Sequence, residues 1–263
     1  MQGGRTFFSF VLKQKNQTMK QRANSFLLIV VLLITFHSTS QKANSEVIYR
    51  KRSVVNKEQI NKSSSADILN STFSGMEKLE YSLLFNKEIS FFTEIESLDS
   101  DENSNKLAGI LMKRLGAGNG KYNIDLKKKN ILHQRTLGGD LFLVTSSLDD
   151  IQWNLTKESK KIGNYVCFKA TTTYKIETVR GTKEKPVVAW FTPNIPLPFG
   201  PAEYGGLPGL ILELEVDNIV LFAERIVLNQ KENKTIKKLS KGIKVSKQEF
   251  KDLEIKAFEQ YKR

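Results

Sequence analysis

The prolines of this chain decide where it can and cannot be a sheet. All six fall between Pro186 and Pro208, and five of them stand between Pro193 and Pro208. Proline fixes φ and has no amide hydrogen to donate, so the latter stretch cannot lie inside a sheet and must run as a stiff, extended loop. At roughly 16 residues it is longer than most connections in compact domains. Pro208-Gly209 has the residue types of the two central positions of a type II turn. It feeds a strand in which Leu210, Leu212, Leu214 and Val216 are expected on one face and Ile211, Glu213 and Glu215 on the other. The loop carries or adjoins Trp190, Phe191, Phe199, Tyr204 and Leu207, which are the candidate ligand-binding residues. Two roles stay open for it: its aromatics plug one end of a β domain, or it rims a cavity and presents a binding ledge.

Around that loop the hydrophobic pattern has a period of two. Leu79, Tyr81, Leu83 and Phe85 alternate across a turn with Ile89, Phe91, Thr93 and Ile95, as in a hairpin with one wet face. Short strands are expected at 122–126, 131–136, 140–145, 151–156, 165–174, 187–191, 210–216 and 219–228, with a further one around Val47–Tyr49. The Ser- and Asn-rich stretch Asn61–Ser74 reads as a linker or surface loop. Near the end, Phe250, Leu253, Ala257 and Tyr261 recur at helical spacing behind a Ser246/Glu249 capping box, so residues 246–261 are expected to form one amphipathic helix. The fold class is therefore mainly β: an antiparallel meander making a curved sheet or partly closed barrel, with one C-terminal helix.

The N-terminus reads as a secretory signal over residues 1–40. Lys20 and Arg22 precede the apolar run Phe26–Phe36, and Ser38 and Ser40 follow it at signal-peptidase spacing. Met19 opens that pattern, which makes it a candidate true start. The run is shorter than the ~20 residues a membrane-spanning helix needs. Cys167 is the only cysteine, so no internal disulfide can form. The net charge is +13, and the five basic residues of positions 1–40, which hold no acidic residue, leave +8 for the rest. Lys127, Lys128 and Lys129 form one basic run, and Lys231, Lys234, Lys237, Lys238, Lys241, Lys244 and Lys247 another. These read either as solvated edges that block unwanted strand pairing or as a surface for an anionic partner such as lipid headgroups or acidic glycans. The chain thus divides into a signal at 1–40, a β domain at 41–230 and a basic tail with its helix at 231–263.

Several chemistries lack their residues. Beyond the leader, His133 and Cys167 are the only histidine and cysteine, while a zinc site needs three or four converging ligands. Asp99 and Asp101 lack the rest of a calcium loop. A Ser-His-Asp site would have to use His133, and there is no Gly-x-Ser-x-Gly elbow. Gly116–Lys121 fails as a phosphate loop, because Leu115 and Tyr122 stand where glycine and Ser/Thr are needed. Glu203, Glu213 and Glu215 near the loop leave room for a carboxylate-pair hydrolase. No catalytic residue, metal or cofactor is assigned, and nucleic acid is not an expected partner.

The segments Trp190-Phe191-Thr192-Pro193-Asn194-Ile195-Pro196, Phe199-Gly200-Pro201 and Tyr204–Leu212 resemble the GLPGLI family, named for the hexapeptide that stands here as Gly206–Ile211. Trp153 and Lys161–Thr171 look like that family's I-G-x-Y-x-C-x-K-A strand, and the Leu83–Phe91 hairpin is also similar. The resemblance covers residues 45–230. It implies an exported protein of Bacteroidetes, periplasmic or at the cell surface, and brings no catalytic residues. The expectation is a non-enzymatic envelope protein that binds an apolar small molecule or peptide in its curved sheet. The alternatives are an interaction or structural partner of an outer-membrane complex, and a carboxylate-dependent hydrolase.

Overall fold

A computed structural model describes residues 44–96, 117–178, 181–230 and 234–261. The leader expected at 1–40, with Met19, lies outside the described residues, as do Asp99 and Asp101. In chain order the elements are β1 (Ser45–Ser53), α1 (Lys57–Asn61), α2 (Ala66–Glu77), β2 (Glu80–Phe85), β3 (Ile89–Glu94), β4 (Lys121–Asp125), β5 (Asn130–Leu137) and β6 (Asp140–Ser147). A 3-10 turn at Leu148–Asp150 leads into β7 (Asn154–Ile162), β8 (Tyr165–Thr178), β9 (Gly181–Thr192), β10 (Leu210–Val216), β11 (Ile219–Val227), β12 (Ile243–Ser246) and α3 (Lys247–Tyr261). The strands form one sheet in the order β12-β6-β5-β4-β3-β2-β1-β11-β10-β9-β8-β7. Every pairing is antiparallel except β12 on β6. The sheet is mainly β and open, as the alternating pattern predicts.

The chain itself dictates the curl. Two local meanders, β2–β6 and β7–β11, sit on either side of β1. The chain leaves β6 near one edge at Ser147 and re-enters at the opposite edge at Asn154. Seven peptide steps reach at most about 25 Å. Ten strand spacings, laid flat, would separate those edges by about 48 Å. The sheet must therefore bend back on itself, and the apolar face lies inside the bend. Tyr49, Tyr81, Phe85, Phe92, Ile124 and Phe199 belong to its main core cluster. The Tyr81 and Phe92 rings stack at 5.6 Å, and the Tyr49 hydroxyl donates to the Ile211 carbonyl at 2.6 Å.

Three local expectations are corrected. Asn61–Ser74 is not a loop, for α1 and α2 cover most of it. The Asn56 side chain caps α1 by accepting from the Glu58 amide, and Thr72 and Met76, one turn apart, are the buried residues of α2. The strand expected at 151–156 begins at Asn154, because Ser147 and Asp150 close a capping box around the 3-10 turn just before it. On β10, alternation breaks at a bulge between Ile211 and Glu213. The extra residue resets the faces: Leu210 and Leu212 join the main core, whereas Ile211, Leu214 and Val216 join a second cluster with Phe191, Tyr204 and Leu207.

The segment after β11, read from sequence as a basic tail, is sewn across the sheet. Glu46, Leu84, Phe91, Asn123, Leu132 and Thr145 are consecutive cross-strand partners from β1 to β6 and so share one face. Residues 234–245 follow that row. Asn44 donates to the Lys234 carbonyl, and the Lys234 ammonium sits 2.6 Å from Glu46. Asn123, 2% exposed, donates to the Lys237 carbonyl at 2.8 Å and accepts from the Leu239 amide at 2.6 Å. Gln134 then donates to the Lys241 carbonyl at 2.9 Å, and Thr145 to that of Val245 at 3.0 Å. Five strand spacings are about 24 Å, well within the reach of the chain from Lys234 to Val245. The strap ends as β12. α3 follows, capped by Ser246 and Glu249 in the reciprocal arrangement its sequence predicts. It docks Phe250 on Phe142 at 5.3 Å, under an Arg135 guanidinium that also reaches Glu254 at 2.7 Å.

Candidate functional site

The proline segment is held by its own backbone. Leu197, Phe199 and Gly209 each donate an amide to the carbonyl two residues earlier, at 2.8, 2.8 and 2.7 Å, so Pro196, Pro198 and Pro208 are the centres of three γ-turns. The type II turn expected at Pro208-Gly209 is thereby replaced. Leu210 donates instead to the Ile195 carbonyl at 3.0 Å. Gly209 lies so close to β9 that a Cβ there would stand 2.2 Å from the Thr192 carbonyl oxygen, which excludes any other residue. Further amide bonds, Gly206 to Pro198 and Ile211 to Phe199, both 2.9 Å, lock the crossing to β10. The Trp153 indole donates to the Gly205 carbonyl at 2.8 Å and fastens the edge-to-edge connection to the same loop.

This geometry separates the five candidate ligand-binding residues. Phe199 is fully buried in the main core, with its ring centroid 5.9 Å from that of Phe85. Phe191, Tyr204 and Leu207 are buried in the second cluster, and Trp153 stands 6.3 Å from the Tyr204 ring. Burial pushes the Tyr204 hydroxyl far above its ordinary pKa. Only Trp190 reaches the surface, half-buried, with the Lys160 ammonium 4.2 Å above its ring. The loop aromatics pack as a plug.

The titratable residues are likewise committed. Glu213 accepts Lys160 at 2.7 Å and Arg52 at 3.4 Å, while Glu203 pairs with Lys247 at 3.1 Å. His133 stacks on Tyr122 at 4.0 Å, and its Nε2 lies 2.7 Å from the Asn119 carbonyl, which assigns the ring proton to Nε2. Burial drives its pKa down to about 4. Cys167 is fully buried, and burial raises its thiol to about 11, so little thiolate is present at neutral pH. Lys51, 1% exposed above the Tyr81 ring, is lowered by burial to about 8. Glu46 is buried too; burial raises its pKa, but hydrogen bonds from Lys234, Ser82 and Gln230 outweigh that and hold it below its ordinary value. Among the described residues no group of three or more His, Cys, Asp or Glu is arranged to hold a metal ion.

The sequence reading missed one feature. β8 and β9 run on together past their neighbours. β7 pairs β8 only as far as Asn154 with Thr171, and β10 pairs β9 only as far as Val216 with Val187. Beyond these points Thr173–Thr178 pairs with Gly181–Pro186 alone. The result is a two-stranded arm about 20 Å long. Among the described residues no strand covers the outer edge of β8 from Thr172 to Thr178. The missed signal was strand length: past Tyr174 the run to Lys185 is mostly charged and polar, with Ile176 and Val179 its only large apolar residues.

Two crystal forms of PNGF-II, in space groups C2 and P21, resemble the chain at TM-score 0.48 each, with 14% and 15% sequence identity over 81% and 82% of it. The chain spans only 33% and 34% of the length of those structures. No curated protein matches it. Residues 153–182 and 177–213, which hold β7, the arm, the proline crossing and most of β10, match the family model described as "Protein of unknown function (Porph_ging)".

Proposed function

We propose that this is an exported protein of the GLPGLI type that acts in the cell envelope by binding, and that its ligand is a polypeptide segment taken up as an added strand along β8. The observation that carries this reading is the backbone edge of Thr172–Thr178, which no strand among the described residues covers. An isolated two-stranded ribbon is at best marginally stable in water. A third strand would complete the backbone pairing and continue the line of β7, which begins opposite Thr171. Burial of Phe199 and Leu207 in the protein's own core favours a polypeptide over an apolar small molecule inside the curl. The partners already held by Glu203 and Glu213 favour binding over carboxylate catalysis.

The test is a selection of peptides from a random displayed library, on the whole protein and on a variant with a shortened arm. Tyr174 and Lys185 are cross-strand partners, so an Asn-Gly turn can replace residues 175–184 without disturbing the sheet. Selected peptides should lose binding to the shortened variant and protect the amides of 172–178 from hydrogen exchange. Peptides that bind both proteins equally would refute the site. Export is tested separately: residues 1–40 fused to an alkaline phosphatase that is active only outside the cytoplasm should give activity.

A further inference from the structure

We propose that the strap over 234–245 is the face by which this protein rests on an anionic lipid surface. Its backbone is turned inward: Asn123 and Gln134 take the carbonyls of Lys237 and Lys241, and Asn123 also accepts the Leu239 amide. The side chains of Lys237, Lys238, Lys241 and Lys244 are consequently left outside, and all four residues are exposed. Lys234 and Lys247, at the two ends, are held in ion pairs by Glu46 and Glu203. Among the described residues the four between them have no acidic partner, and the sequence has no acidic residue from Asn233 to Gln248. Packing cannot explain four unneutralised like charges within eight residues, since each repels the next.

A bilayer is favoured over other polyanions by an exposed apolar group beside these lysines. Leu141, 39% exposed, stands two residues along β6 from Leu143, the cross-strand partner of Lys244, and so shares a face with both. An apolar group beside lysines suits the headgroup boundary, where the stems bury and the ammonium groups meet phosphate. The strap and the β8 edge are separate surfaces, so this inference does not rest on the peptide reading, and the shortened-arm variant should bind lipid normally.

The experiment is co-sedimentation of the full chain with vesicles of phosphatidylcholine alone or mixed with phosphatidylglycerol. The parent is compared with a variant carrying Lys237→Gln, Lys238→Gln, Lys241→Gln and Lys244→Gln. The N-terminal apolar run is common to both chains, so their difference isolates the strap. Binding should require phosphatidylglycerol, weaken as salt rises, and fall about fivefold in partition coefficient for each lysine removed. Leu141→Ser should weaken vesicle binding but not binding to heparin or duplex DNA. Equal binding to both kinds of vesicle, or an unchanged quadruple variant of unchanged Tm, overturns the proposal. So does a Leu141→Ser chain that binds vesicles like the parent, which would make the strap a general polyanion reader. If the quadruple variant fails to fold, two double variants, at 237/238 and at 241/244, carry the same comparison.

Discussion

At the scale of single residues, burial has removed reactivity from the groups that looked chemically promising. His133 is the clearest case. Its ring lies on Tyr122, and its Nε2 faces the Asn119 carbonyl beside Gly120, where a Cβ would come within 2.8 Å of that nitrogen. Desolvation disfavours the imidazolium, and the Arg135 charge adds to it against the opposing Asn119 bond. A folded-state pKa of about 4, against an ordinary 6.5, means the unfolded chain binds the extra proton first. Stability is therefore full above about pH 6.5, falls as pH drops toward 4 and then levels, with a total loss of about 3 kcal/mol. His133→Gln, which keeps a donor for Asn119, should flatten urea midpoints between pH 6.5 and 4.5. A variant with the parent's slope in that window would mean that His133 is not buried as a neutral ring. Trp190 shows the limit of sequence at this scale. It packs against the same core as Phe199 but is only half-buried, and strand alternation alone cannot say which side chains of a curled sheet stay wet when both faces carry aromatics.

At the scale of elements, the strap does more for the fold than its composition suggests. A lysine-rich segment has little apolar surface to bury, so polar side chains of the sheet must hold it. Asn123 supplies three bonds: it donates to Ser90 at 2.9 Å and to Lys237 at 2.8 Å, and it accepts from Leu239 at 2.6 Å. Asn123→Leu keeps the volume but strands three backbone groups, a loss of about 2–4 kcal/mol. Gln134→Ala, at a more exposed position, should cost under about 1 kcal/mol. The readout is local: trypsin should cut after Lys237, Lys238 or Lys241 in the Asn123 variant at urea concentrations where the sheet is still folded. Cleavage only after global unfolding would show that the strap is held by something other than Asn123. The strands of the two meanders were legible because one face of each is apolar and the other wet. α2 was not, because Ser and Asn dilute its helical stripe and favour turns in isolation. Only the tertiary contact of Thr72 and Met76 makes it a helix. The strap was illegible for a related reason: its partners, Glu46, Asn123 and Gln134, lie on three separate strands and have no pattern in sequence.

At the scale of the molecule, β1 is the keystone. Each meander is local, with neighbours in sequence paired in space, and each can form early. In the strand pairing only β1 joins one meander to the other, with β2 on one side and β11 on the other. The sequence conceals this role. Ser45–Ser53 contains Glu46, Arg50, Lys51 and Arg52, so it reads as a weak strand, yet most of it is buried because it lies at the centre. Its charges are reconciled one at a time: Glu46 by Lys234, Arg50 by Glu80 and Glu224, Arg52 by Glu213. A chain beginning at Val54 should therefore lack a single cooperative urea transition, because the closing of β1 on β11 is what unites the two meanders. A chain ending at Ser246 makes the contrast. It loses α3 and the burial of Phe250, a loss of about 2–3 kcal/mol, and should keep one transition at a lower midpoint. Were the chain from Val54 to unfold in one sharp step of undiminished slope, the curl would have to be held without β1, by the proline crossing, the 148–153 connection and the strap that ends on β6.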